Sequence, residues 1–156
     1  MKKKTKKPKK LFNTKKKECD FLWSTLIKAR AGFVSELCGS EGSLQSHHII
    51  GKRNLSLRYS ILNGFCCLAG EHNYFLHGDN PNSVVMTMKE KKGSSIYTEL
   101  EVVKNSKSVP MTAYYDYLLS ELKPHRLAIK FWYEFQEYKT KAANDRYKHL
   151  LGLLEG

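Results

Sequence analysis

Leu44-Gln45-Ser46-His47-His48-Ile49-Ile50, then Asn63-Gly64-Phe65-Cys66-Cys67-Leu68-Ala69, then Glu71-His72-Asn73-Tyr74-Phe75-Leu76-His77 is the part of the chain that decides its fold. The first run alternates weakly and suits a strand, and Gly51-Lys52-Arg53-Asn54 breaks it. Asn63-Gly64 is a strong turn signal, suited to a type I′ hairpin, and a short apolar run follows it as a second strand. A helix is expected to begin near Glu71 and to close at Gly78-Asp79-Asn80-Pro81-Asn82. Two short strands around a loop, followed by a helix, make a small ββα unit.

Outward from this unit the pattern is helical. Glu18 to Ala31 carries Phe21, Leu22, Trp23, Leu26 and Ile27 close to a helical stripe, and a helix there should end near Gly32. Cys38-Gly39-Ser40-Glu41-Gly42-Ser43 is turn chemistry. From Val84 onward helices return: Ser95 to Val103, with Ile96, Leu100 and Val103 in register, and the aromatic-rich Met111 to Leu122. Pro124 interrupts before a long amphipathic segment from about His125 to Leu154. Trp132, Tyr133, Phe135 and Tyr138 there read as core more than as a base-stacking platform. The fold class expected is α+β, a ββα unit embedded in a mainly helical domain. Residues 1–17 form a basic disordered arm, 18–83 the core with its N-terminal helix, and 84–156 a helical extension.

Composition agrees with one globular domain. The 156 residues are 41% hydrophobic and 12% aromatic, enough to bury a core. No apolar run approaches the roughly 20 residues of a membrane span, and the lysine-rich start lacks the apolar stretch of a secretory signal. The expectation is a cytoplasmic protein with no membrane partner. The net charge of +12 is concentrated in the tail: residues 1–17 carry ten lysines and no acid, leaving 17 basic against 15 acidic side chains elsewhere. Such a tail cannot fold alone and suits an electrostatic arm for nucleic acid; a solubilising tail or nuclear-import signal has the same composition. The four cysteines, with Cys66 and Cys67 adjacent, do not make a disulfide framework. A zinc ribbon would show two Cys-x-x-Cys pairs, whereas Ser35-x-x-Cys38 and Cys67-x-x-Gly70 stand here, so the thiols read as buried and reduced.

Four of the six histidines, His47, His48, His72 and His77, fall within 31 residues. Imidazole is the commonest metal ligand and titrates near neutrality, so the cluster points to a metal site with a general base beside it. Adjacent residues of a strand face opposite ways, which lets one histidine of the pair turn to metal and the other toward water. Asn63 is suited to orient a ring by a hydrogen bond. In an α-helix Asn73 and His77 lie about 40° apart and His72 and His77 about 140°. Asn73 with His77 is then the better helical ligand pair, with His72 open as a ligand at the helix entry. Lys52, Arg53 and Arg58 follow the pair in a loop where phosphate contacts would help. His125 and His149 sit in helical contexts and read as structural.

His47-His48, Asn63, and His72-Asn73-x-x-x-His77 together resemble the HNH endonuclease motif of the ββα-metal superfamily, over residues 31–79. The resemblance implies a divalent metal on His47, a general base at His48, a bracing Asn63, and His72 or Asn73 with His77 completing the metal site. It implies phosphodiester hydrolysis in DNA, with RNA left open. Mg²⁺ or Mn²⁺ is the first expectation and Zn²⁺ or Ni²⁺ the second. Cys38-Gly39 and Phe65-Cys66-Cys67 sit where many members carry zinc-ribbon cysteines, and the broken pairs speak against a structural zinc. The lysine arm and helical C-terminus are also similar to phage recombination nucleases, and a homodimer through the aromatic helices is an open expectation. The rival reading is a non-catalytic nucleic-acid-binding module on a degenerate scaffold of this kind.

Overall fold

The computed structural model describes residues 11–73, 81–106, 109–136 and 140–156, with backbone alone over 81–85. Helix α1, Lys15–Arg30, starts at Thr14, whose hydroxyl accepts the backbone N–H of Lys17 at 3.3 Å. It therefore takes in Lys15, Lys16 and Lys17, which the sequence reading placed in the basic arm. It ends where expected: Gly32 is left-handed at φ 67°, and the Phe33 N–H reaches back to the Lys28 carbonyl at 2.9 Å.

Strands β1, Leu44–His48, and β2, Gly64–Leu68, pair antiparallel, with Leu44 opposite Leu68, His47 opposite Phe65 and His48 opposite Gly64. A loop spanning 49–63 joins them. Asn63-Gly64 is thus not a hairpin turn; it opens β2, and neither residue has a left-handed backbone. Glycine is needed at 64 for a different reason. A Cβ there would lie 2.0 Å from Ile27 Cδ1 and 3.0 Å from the Trp23 ring, because α1 crosses directly over the strand.

The short helix α2, Ala69–Glu71, follows β2 and passes into π-helical winding at residues 72 and 73. Then come α3, Pro81–Lys92, α4, Ser94–Lys104, and α5, Met111–Leu122. The segment from His125 to Leu154 is two helices, α6, Arg126–Phe135, and α7, Lys141–Glu155. Gln136 turns extended, and Thr140 caps α7 by accepting the Ala143 N–H.

Helix α1 is the hub of the main core. Cys19, Leu22, Trp23, Leu26 and Ile27 pack with Leu44 and Cys66 of the sheet, and with Leu118, Leu122, Ile129, Leu150 and Leu154 of α5, α6 and α7. Helices α5, α6 and α7 therefore share one core with α1 and the sheet. The opposite face of β2, Phe65 and Cys67, packs on Met88 of α3 with Leu37, Ile49 and Tyr97 around it. Burial on both faces explains why β2 is a continuous apolar run with no alternation. Cys19, Cys66 and Cys67 are buried thiols as expected, whereas Cys38 is exposed; all four are free. Burial first of all pushes the thiols up, Cys66 to about 11 and Cys67 to about 12, so they stay protonated. Among the described residues no helix is long and apolar enough to cross a membrane.

Candidate functional site

The alternation of β1 separates the two histidines of the pair. Leu44, Ser46 and His48 face α1: the Ser46 hydroxyl bonds that of Ser24, and the His48 ring lies flat on Trp23, 3.8 Å between centroids and 11° from parallel. Trp23 is itself held by its indole N–H on the Ser60 carbonyl at 3.0 Å. His48 Nε2 is 2.9 Å from the Arg58 carbonyl. A carbonyl can only accept, so Nε2 carries the hydrogen and Nδ1 carries the lone pair. Burial first of all pushes the imidazole below its ordinary value, and the Arg58 and Lys52 charges act in the same direction. The Arg58 carbonyl bond and the Asp20 charge oppose them without overturning the result. The ring is neutral at neutral pH.

His47 is on the opposite face and meets His72, with ring centroids 5.0 Å apart and planes at 71°. Two imidazoles sharing one ion, with each nitrogen about 2.1 Å from it at an angle near 100°, would have centroids about 5 Å apart. The observed separation matches that value, with the two rings meeting edge to face. Asn73 is exposed, while His72 lines the cavity described below. Residues 72 and 73 are π-wound, with bonds that span i to i+5, so the angle expected for 3.6 residues per turn does not apply there. His77 lies outside the described residues. Among the described residues no three His, Cys, Asp or Glu side chains form a metal-holding group. The described donors are the two imidazoles.

Asn63 is fully buried and braces the loop. Its Oδ1 accepts the Ile50 N–H at 2.7 Å, and its amide donates to the carbonyls of Ile50 at 2.9 Å and Leu57 at 3.1 Å. These bonds hold the loop that carries the Arg58 carbonyl, so Asn63 positions His48 indirectly. Arg58 is a second brace, not a phosphate contact. Its guanidinium is buried and grips both Asp20 oxygens at 2.8 Å, the Tyr59 hydroxyl at 3.0 Å and the Lys52 carbonyl at 3.1 Å. All three guanidinium nitrogens are engaged with protein partners, so the group is anchored within the protein. Lys52 and Arg53 are exposed on the same loop, as a phosphate contact requires.

A cavity of about 510 Å³ runs along β1, bounded by Gln45, Ser46, His47 and His48, by Ser24 and Lys28 of α1, by Gly51 and Lys52, and by His72. Its lining holds three imidazoles and two ammonium groups and no carboxylate, a surface for an anion. The α1 residues were missed in the sequence, where Trp23 reads only as core. The available signal was Ser24 and Lys28, a four-residue polar spacing on one flank of the apolar stripe.

No protein-family model, curated protein or solved structure matches this chain. Its chemistry is read from its own residues.

A hydrogen-bond network joins the 35–38 turn to the start of α2. Ser35 accepts the N–H groups of Leu37 and Cys38 at 3.0 and 3.3 Å and donates to Glu71 Oε2 at 2.6 Å. The same carboxylate oxygen accepts the Leu68 N–H at 2.7 Å. These bonds join Ser35, Leu37, Cys38, Leu68 and Glu71. His149, read as structural, pairs with Glu18 at 3.0 Å beside the Phe12 ring.

Proposed function

We propose that this protein is a metal-dependent endonuclease of the HNH kind, hydrolysing phosphodiester bonds in DNA. The observation that carries the reading is the division of the His47-His48 pair. One ring is stacked and hydrogen-bonded with a single basic nitrogen left, and the other lies against His72 with ring centroids 5.0 Å apart, both on one cavity whose lining holds no carboxylate.

His48 is the general base. Nε2 stays bonded to the Arg58 carbonyl while Nδ1 takes a proton from the attacking water. The stack on Trp23 keeps the ring plane fixed as the proton arrives, and Asn63 holds the loop behind it. His47 and His72 would hold a divalent cation, with Asn73 and His77 the further candidates that the sequence motif offers. When bound there, such an ion would supply charge neutralisation for the scissile phosphate and the leaving 3′ oxygen. Lys52 and Arg53 meet the backbone, and the lysine-rich start adds sequence-independent affinity.

Incubating the protein with supercoiled plasmid tests the reading. Nicking in Mg²⁺ or Mn²⁺ that EDTA abolishes supports the enzyme. A mobility shift without cleavage in any divalent ion would replace it with the binding module.

A further inference from the structure

Four Lys or Arg side chains among the described residues are at least partly buried: Lys28, Arg30, Arg58 and Lys92. Three of them have a carboxylate. Arg30 and Lys92 share Glu36, at 3.3 and 2.7 Å, and Arg58 grips Asp20 at 2.8 Å. Lys28 has no acidic partner among the described residues, and it faces the cavity that holds His47, His48 and His72. Taking an ammonium out of water without a counter-charge is unfavourable, and burial here pulls Lys28 below its ordinary value. A helix that merely crossed the sheet would place an apolar residue or a longer, water-reaching cation at this position. One turn earlier Ser24 lines the same cavity with its hydroxyl on Ser46, so α1 presents a polar strip to the space beside His48.

We propose that Lys28 is the phosphate-binding cation of the cavity, holding a backbone phosphate of a bound nucleic acid next to His48. The ligand class is a phosphodiester, and the missing counter-charge of the ammonium is that phosphate. This rests on reading the cavity as a phosphodiester site, and it adds α1 to the parts that meet substrate. Lys52, exposed on the loop across the cavity, can meet the same strand from outside.

The test uses the full chain carrying His48→Ala, so that a short duplex oligonucleotide stays intact, and measures affinity across a salt series. Adding Lys28→Met is expected to weaken binding about eightfold near 0.1 M salt and to lower the slope of log K against log salt by about 0.9, the value of one backbone contact. Lys28→Arg should restore the slope. Melting temperature reads folding separately, and Lys28→Met should not lower it, since no partner is left behind. Unchanged affinity and slope in Lys28→Met would overturn the proposal, and so would a lowered melting temperature with an unchanged slope. Plasmid nicking by the otherwise native chain separates the two readings. A slope loss without nicking keeps the Lys28 site and removes the nuclease; nicking with a normal Lys28→Met slope does the reverse.

Discussion

The imidazole of His48 has one nitrogen on the Arg58 carbonyl and one face on Trp23, so only Nδ1 is left to exchange a proton. Residues that never meet substrate set this arrangement, above all Asn63. Replacing it with alanine strands the Ile50 N–H and the Ile50 and Leu57 carbonyls in a buried site. Asn63→Ala should destabilise the protein by about 3 kcal/mol in urea denaturation, the loss expected for several buried partners left unpaired. A loss within experimental error would mean that the loop is held by Arg58 alone. The His-His pair and Asn63 were legible in the sequence because residue type and spacing carry them. Arg58 was misread because nothing in a sequence tells a cation bonded to Asp20, 38 positions away, from one that faces solvent.

At the scale of elements, α2 starts two residues before the expected Glu71, whereas the two strands and the α5 boundaries follow from apolar runs and breakers. The junctions do not. Asn63-Gly64 has the letters of a tight turn, yet glycine is there because Ile27 and Trp23 press on β2, a contact known only once α1 is docked. The π winding at 72–73 likewise has no local sequence signature, and an angular argument built on 3.6 residues per turn could not anticipate it. Glu71 gives the Ser35 junction a measurable property. Burial raises its carboxyl, but the hydrogen bonds from Ser35, Leu68 and Cys38 outweigh burial and hold it below its ordinary value of 4.5. A depressed carboxyl contributes stability that is complete above the unfolded value and is lost as pH falls through the folded one. Stability should therefore decline on acidification below about 4.5, and Glu71→Gln should flatten that part of the profile. Parallel profiles for the two proteins would show that the junction does not depend on the charge.

At the scale of the molecule, the helices after residue 110 do not form an appended layer. Leu118, Leu122, Ile129, Leu150 and Leu154 close over α1, and α1 carries Trp23, Ser24 and Lys28 to the cavity. The C-terminal half is thus the support for one wall of the site. Sequence periodicity finds such helices but not which helix they cover, since an apolar stripe states only that something packs on it. The central claim, a base at His48 acting on a phosphodiester, is tested most directly by the single-turnover rate of plasmid nicking in Mn²⁺ or Mg²⁺ for the native protein and for His48→Ala, each matched for folding and for DNA affinity. The rate should fall by about 10²- to 10⁴-fold, the contribution of a positioned general base, while binding stays unchanged. Equal rates for the two proteins would contradict the claim.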